Sequence, residues 1–163
     1  ASLEIASGAA LTVAFDAAKL EEGATATNWS PHPNDAFIQP RIVSLSAAVT
    51  TTSTTLVDIG TGFEIANVIL DGSQSVILDA NIFTRNSTAE TENRFQFLRD
   101  STTLGQGFGT FHVLAAKDTT GVLNFLDAKP AAGNYTYKVQ WRVSAGTATA
   151  AERILELAVI PSA

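Results

Sequence analysis

The chain carries few side chains that could act as a nucleophile, a general base or a metal ligand. It has no cysteine and two histidines, His32 in "SPHPND" and His112 in "TFHVL". No pair of histidines therefore stands at zinc-site spacing, and no G-x-S-x-G motif presents an activated serine. His32 and Asp35 could hold a metal on a folded connector, but "PHPND" is more simply interpreted as tandem turns. We interpret His112 as a strand residue rather than a general base.

Carboxylates are the remaining side chains that could catalyse a reaction, because a glycosidase needs only two acids that lie close together in the fold. The available acids are Glu21, Glu22, Glu90, Glu92 and Asp127. Each lies in a polar turn, where we expect a solvated side chain, and no D-x-D-x-D-G calcium loop is present. The sequence thus predicts no enzyme activity, no cofactor and no metal site. A polysaccharide hydrolase is the remote alternative.

Charge and hydropathy limit the partners of this protein. The 163 residues include 10 cations against 16 acidic residues, for a net charge of -6, and the cations are scattered. This balance argues against a nucleic-acid partner. No apolar run approaches the roughly 20 residues that cross a bilayer, and the first residues lack the basic start of a signal peptide. We expect assembly in the cytoplasm and no membrane insertion.

In residues 42–163 short apolar runs are repeatedly followed by turn formers, a pattern that predicts β-strands. Any functional site in this part of the chain must therefore be positioned by strands. The clearest run is "NYTYKVQWRV", in which apolar and polar residues alternate from Asn134 to Val143. Such alternation makes one face of a strand apolar and the other polar. Nine runs of this kind predict an all-β head, an antiparallel β-sandwich of the jelly-roll type with about eight strands.

Several runs carry apolar residues on both parities, which one buried face would not require. In "SVILDANIF", Val76, Leu78 and Ile82 alternate with Ile77 and Phe83. One explanation is ordinary packing under loops. The other is that a neighbouring subunit of a closed oligomer buries the second face.

Residues 1–41 differ from the head and suggest an extended N-terminal arm. Three prolines stiffen the stretch "SPHPNDAFIQP", because proline fixes its own φ and biases the residue before it. The arm could add strands to the same domain or dock onto a neighbour. For docking, the candidate capsid or subunit contacts are Leu11, Phe15, Trp29, Phe37 and Ile38.

Four segments carry a resemblance to a known family: "TTSTTLVDIGTGFEI", "RFQFLRDSTTLGQG", "LNFLDAKPAAGNYTYKVQWRVSAGTATA" and "LAVIPS". Over about residues 50 to 160 the chain resembles a β-sandwich module of structural proteins of tailed bacteriophages. The resemblance implies a jelly roll similar to tumour-necrosis-factor and complement heads, usually trimeric, in a head decoration, head fibre or tail-fibre tip. The chain departs from that pattern at Phe97, where the family has Leu, and in "DSTTLG".

The resemblance also implies roles for individual residues. Phe95, Phe97, Tyr137, Val139 and Trp141 would be core or trimer contacts. The pair "RD" at residues 99 and 100 would fix a turn. None of these side chains would be catalytic.

The resemblance and the short chain together favour a capsid decoration, or cement, protein on the surface of a virion. It would form a homotrimer and bind the major capsid protein. A fibre is less favoured because the sequence has no heptads or collagen-like repeat for a shaft. The alternative is a tail or head fibre tip whose loops "RNSTAETEN" and "DSTTLGQGFG" bind a host-surface receptor or glycan.

Overall fold

A computed structural model describes residues 40–112 and 114–161, and all of the regular structure in this part of the chain is β-strand. The ten strands are β1 (Arg41–Leu45), β2 (Val49–Thr51), β3 (Val57–Asp58), β4 (Glu64–Leu70), β5 (Ser75–Asn86), β6 (Thr91–Arg99), β7 (Thr102–His112), β8 (Thr119–Asp127), β9 (Gly133–Val143) and β10 (Ala148–Ile160). The predicted arm contacts Leu11, Phe15, Trp29, Phe37 and Ile38 lie outside the described residues, so their roles stay predictions.

The strands form two antiparallel sheets of five. Sheet A has the order β1-β10-β5-β8, with β2 also on β10, and sheet B has the order β3-β9-β6-β7, with β4 also on β9. If β1 with β2, and β3 with β4, are each counted as one interrupted strand, the eight strands have the jelly-roll order, and the chain changes sheet at every connection except the one between β6 and β7. The predicted all-β jelly-roll sandwich is confirmed.

The first strand is interrupted beside a buried cation. The single run "RIVSLSAAV" becomes β1 and β2, and the Nη1 atom of Arg153 donates to the carbonyl of Ala47 between them at 2.9 Å. Arg153 follows a bulge in β10 and lies between the sheets, where burial lowers the pKa of its guanidinium. Arg41, which the sequence assigned to the arm, is the first residue of β1 and pairs with Leu157.

The core forms between the facing sides of the two sheets. The apolar parity of β9 points inward as predicted, and the Trp141 ring stacks on Phe95 with centroids 6.3 Å apart. All five residues predicted as core or trimer contacts, Phe95, Phe97, Tyr137, Val139 and Trp141, are buried within the single chain. Their packing is therefore explained without a second subunit.

The stretch "DSTTLGQGFG", interpreted from the sequence as an adhesive loop, is instead mostly part of β7. Gly105 has φ of 62°, and a Cβ at that position would lie 2.5 Å from the Phe125 ring. The strand bulges here, since the register against β6 shifts between Phe95 and Phe97. Glycines in place of alternating apolar residues conceal this strand in the sequence. The other proposed loop, "RNSTAETEN", shrinks to a four-residue turn between β5 and β6.

Candidate functional site

The one predicted candidate acid of the head that is buried, Asp127, is held in an ion pair. Its carboxylate accepts two hydrogen bonds from Arg99 Nη1, at 2.9 and 2.7 Å, and one from the Tyr137 hydroxyl at 2.8 Å. The expectation of a solvated side chain is wrong here, because a cation and a phenol from the facing sheet compensate its burial. This cluster joins β8 of sheet A to β6 and β9 of sheet B.

The electrostatics of this cluster follow from burial and from mutual hydrogen bonding. Burial raises the pKa of Tyr137 well above its ordinary value, and its hydrogen bond to the Asp127 carboxylate raises it further. Burial opposes the charge of Arg99, but Asp127 outweighs this effect and raises the pKa of the guanidinium. The neighbouring Asp100 lies in the turn between β6 and β7 with φ of 51°, and its carboxylate accepts from the backbone N–H of Thr136 in β9 at 2.8 Å, which ties the turn to β9. Arg99, predicted with Asp100 to fix a turn, instead pairs with Asp127 across the sheets.

The carboxylates do not meet as a glycosidase pair. Glu90 and Glu92 lie at the start of β6, whereas Asp127 contacts Arg99 at the end of that strand. At about 3.3 Å per residue Glu92 and Arg99 are about 23 Å apart along β6, far beyond the roughly 5 to 9.5 Å that separates glycosidase acids. Glu21 and Glu22 lie outside the described residues.

His112 occupies a buried polar network rather than a cleft. Its Nε2 atom lies 3.0 Å from Asn93 Nδ2, and its Nδ1 atom lies 3.3 Å from the carbonyl of Lys117. The Asn93 amide also donates to Thr84 at 2.9 Å and accepts from Asn86 at 2.8 Å. The histidine is a strand residue of β7 whose role is to satisfy hydrogen bonds between β5, β6 and β7.

Neither a metal cluster nor a membrane-spanning helix occurs in residues 40–112 and 114–161. No three histidine, aspartate or glutamate side chains there approach one another closely enough to hold an ion. Nor does that part of the chain contain a helix suited in length and hydropathy to crossing a bilayer. His32 and Asp35, the metal pair considered from sequence, are not among those residues.

The outer face of sheet A is rich in exposed apolar side chains. We call it the apolar face and define it by Ile42, Ile77, Val122, Leu126 and Ile154, of which Ile42 is 58% and Leu126 is 53% exposed. Cross-strand pairing places Ile77 beside Leu126. Ile77 and Leu126 also line a shallow groove of about 400 Å³.

The apolar face explains the two-sided pattern of "SVILDANIF". Val76, Leu78 and Ile82 fill the core, whereas Ile77 and Phe83 are each 39% exposed on the opposite side. Packing under the loops that the structure describes therefore does not account for the second parity. Exposed apolar side chains grouped on one face of a sheet in this way are a feature of protein contact surfaces.

A polar row divides the apolar face. Asp79 and Glu156 stand directly opposite each other on β5 and β10, and Asn124 of β8 donates to the Asp79 carboxylate. Like charges placed directly opposite are destabilising in a sheet. The row therefore limits how a partner can dock, because it has to be met by a cation, by polar groups or by water.

The outer face of sheet B is polar and carries cations that the sequence analysis treated as scattered. Lys138 is paired with Asp58 at 2.9 Å. The hydrogen bond from Gln140 lowers the pKa of Asp58, burial partly opposes this, and Lys138 lowers it again. Further along the same strands Arg94 and Arg142 stand directly opposite each other. Sequence reasoning missed this pair because only the register of β6 against β9 brings the two residues together.

Comparisons with known proteins support the fold and leave the family open. No protein-family model matches the chain, and no curated protein matches it. Among solved structures, that of the Gx strain of infectious bursal disease virus matches with a TM-score of 0.54 and 11% identity over 93% of this chain and 41% of that chain.

A second match is the VP2 subviral particle of infectious bursal disease virus, with a TM-score of 0.52 and 12% identity over 76% of this chain and 33% of that chain. The chain thus spans about a third to two fifths of these two viral chains. Similarity at this identity establishes the fold alone. This β-sandwich is of a type found in a viral capsid protein.

Proposed function

We propose that this chain is a non-enzymatic structural protein of a virus particle, a decoration protein that binds the major capsid protein as a homotrimer. The observation that carries the proposal is the apolar face on a jelly roll of the type found in VP2. The resemblance to tailed-phage structural modules suggests the decoration role and the trimer. The acids considered for a glycosidase among the described residues, Glu90, Glu92 and Asp127, do not come together at one site.

The apolar face has the dimensions of a subunit contact. Four neighbouring strands at about 4.8 Å spacing span about 19 Å, and nine paired residues along β5 and β8 span about 30 Å. The area of this whole outer face, with the polar row included, is on the order of 600 Å² and approaches the roughly 800 Å² that each partner contributes to a standard interface. Burying these side chains against a partner would stabilise the complex by about 25 cal/mol for each Å² of apolar surface removed from water.

Residues 1–41 supply the proposed attachment to the capsid. They connect to the head through β1, which is an edge strand of sheet A. The arm therefore joins the head beside Ile42 and the rest of the apolar face. Trp29, Phe37 and Ile38 would act as the buried anchors of the contact with the shell, since aromatic and aliphatic anchors dominate such interfaces.

The oligomeric state tests the proposed use of the apolar face. Sedimentation velocity of the full chain at about 50 µM is expected to give a trimer, and Leu126→Lys and Ile77→Lys are expected to give monomers. Ile69→Lys is the matched control, because Ile69 is 76% exposed on β4 of the other sheet. A monomeric wild type, or variants that remain trimeric, would refute this use of the face.

Attachment to the shell tests the decoration role separately. Quantitative mass spectrometry of the source virion is expected to find tens to hundreds of copies per particle. A chain without residues 1–40, which keeps Arg41 in β1, is expected to stay folded and to lose binding to purified shells, whereas retained binding would refute the role of the arm. A handful of copies per particle would instead favour the fibre-tip alternative, in which the head binds a host receptor or glycan.

A further inference from the structure

The outer face of sheet B holds two cations with no carboxylate partner among residues 40–112 and 114–161. Arg94 of β6 and Arg142 of β9 are directly opposed in the sheet, an arrangement that is destabilising for like charges. Elsewhere in the described chain, Arg99 is neutralised by Asp127 and Lys138 by Asp58. Among the described residues neither Arg94 nor Arg142 has an acidic group within ion-pair distance. The Glu92 carboxylate lies over Gly109, which pairs with Arg94, but it forms no ion pair with either arginine. The two guanidiniums are therefore suited to an external anion.

A glycine of β7 makes the space in which Arg94 lies. A Cβ at Gly107 would be 3.0 Å from Arg94 Nε and 2.9 Å from Gln96 Oε1. Both side chains therefore lie over a position where β7 has no side chain of its own. The Gln96 amide is fixed there, since its Nε2 donates to the carbonyl of Leu104.

The second arginine is anchored through one nitrogen. Arg142 Nη1 donates to the carbonyl of Thr54 at 3.4 Å, which leaves most of its five N–H donors available. Thr54 opens the segment that leads into β3. The guanidinium is thus oriented by the backbone and remains able to bind a ligand.

These residues line one pocket of about 500 Å³, which we call the arginine pocket. Its lining consists of Thr54, Thr55, Leu56, Arg94, Gln96 and Arg142. The volume falls within the roughly 300 to 1,000 Å³ of small-ligand sites. None of the described residues that line it is acidic, although the chain as a whole has a net charge of -6.

We propose that the arginine pocket binds an acidic saccharide through its carboxylate or sulfate group. A guanidinium presents a planar fork that matches an oxyanion with two parallel hydrogen bonds. The hydroxyls of Thr54 and Thr55 and the Gln96 amide suit sugar hydroxyls, and Leu56 offers an apolar surface to the C–H groups of the ring. This binding does not depend on whether the protein decorates a head or ends a fibre.

Other anionic partners fit the arginine pocket less well. A nucleic-acid backbone is bound through rows of cations that neutralise many phosphates, whereas the pocket offers one pair. An acidic protein segment would pair with the arginines but would not use the hydroxyls of Thr54 and Thr55 or the Gln96 amide as hydrogen-bond partners. It is therefore the competing occupant that the experiment has to exclude.

Calorimetric titration of the full chain with defined oligomers tests the proposal. The probes are an oligogalacturonate, which carries carboxylates, a heparin-derived tetrasaccharide, which carries sulfates, maltotetraose as the neutral control, and a poly-glutamate peptide. Wild type is expected to bind at least one of the two acidic saccharides, to bind it less tightly at high salt, and to ignore maltotetraose. Arg94→Gln and Arg142→Gln are each expected to weaken that binding at least tenfold.

Lys138→Gln is the matched control, because it removes one positive charge from the same face at a site that Asp58 already neutralises. Its affinity is expected to stay within twofold of wild type. Gly107→Ala is expected to weaken binding by displacing Arg94 and Gln96 while leaving the charge unchanged. Absence of binding of both acidic saccharides at millimolar concentration, an equal loss in Lys138→Gln, or equal affinity for poly-glutamate would overturn the proposal.

Discussion

Asp127 ties the two sheets together at one end of the sandwich, and its removal is expected to be among the most destabilising single changes in the head. The Asp127 side chain is only 10% exposed and that of its partner Arg99 is 21% exposed. The guanidinium also lies over the Tyr135 ring, 5.1 Å from its centroid. Asp127→Ala would therefore leave a partly buried cation and the buried Tyr137 hydroxyl without their acceptor.

The magnitude follows from the two groups left behind. Removing one partner of a fully buried ion pair costs about 3 to 5 kcal/mol, and the residual exposure of Arg99 places this case at the lower end. The hydrogen bond from Tyr137 goes to a charged group, which is typically worth about 1.5 to 3 kcal/mol. Because both effects share one carboxylate they do not add fully. We expect Asp127→Ala to lower the free energy of unfolding by about 3 kcal/mol.

Urea denaturation followed by tryptophan fluorescence measures this loss. Tyr137→Phe alone is expected to cost about 1.5 kcal/mol, and the double variant is expected to cost less than the sum of the two. Asp118→Ala, which makes the same charge change at an exposed position, is expected to stay within about 0.5 kcal/mol of wild type. A loss below about 1 kcal/mol for Asp127→Ala would refute the reasoning, because the ion pair would then contribute no more than an exposed one.

Three further predictions concern other parts of the head. Because the folded-state pKa of Tyr137 is raised, the contribution of Tyr137 to stability is complete below the unfolded-state pKa of about 10. It is lost as the pH rises from that value toward the folded-state pKa. Urea titrations between pH 8 and 11 should show this decline in wild type and a weaker one in Tyr137→Phe. Asn93→Ala should lower the free energy of unfolding by about 3 kcal/mol, because His112 and Asn86 lose a buried partner, and urea midpoints measure it. Arg142→Gln should raise the free energy of unfolding by about 0.2 to 1 kcal/mol through relief of repulsion with Arg94, and this gain should shrink in high salt.

Alternation along the chain was sufficient to predict the fold and most of its core. In β9 the inward parity of Tyr137, Val139 and Trp141 follows directly from the sequence, because a strand with one polar and one apolar side has one way to face a core. The second apolar parity of β5 was also visible. The sequence did not decide whether loops or a neighbouring subunit cover this second set of apolar residues. The structure shows that Ile77 and Phe83 are each partly exposed.

Features that depend on pairing between distant strands were beyond the sequence. Asp127 looked like a turn residue because its partner Arg99 comes from a different sheet. Arg94 and Arg142 looked scattered because no local signal reports the register of β6 against β9. Glycines concealed β7, although Gly107 is what gives Arg94 its place on the outer face. In each case the missing information was a tertiary contact rather than a local propensity.

The two proposed surfaces lie on opposite sides of the sandwich, and this has a consequence for binding strength. A trimer formed through the apolar faces of sheet A would leave the sheet B faces exposed, so that one assembly would present three copies of the arginine pocket. Linked sites bind a repeating ligand more tightly than a single site by a factor of about 10² to 10⁴ when the spacing allows simultaneous engagement.

We therefore expect a long acidic polysaccharide to bind wild type far more tightly than it binds the monomeric Leu126→Lys variant, whereas a short acidic oligomer should bind both equally. Surface plasmon resonance on immobilised polysaccharide, with calorimetry for the oligomer, measures the difference. Equal affinity of trimer and monomer for the long polymer would show that the pockets do not act together, and a weaker oligomer affinity in Leu126→Lys would show that the two faces are not independent.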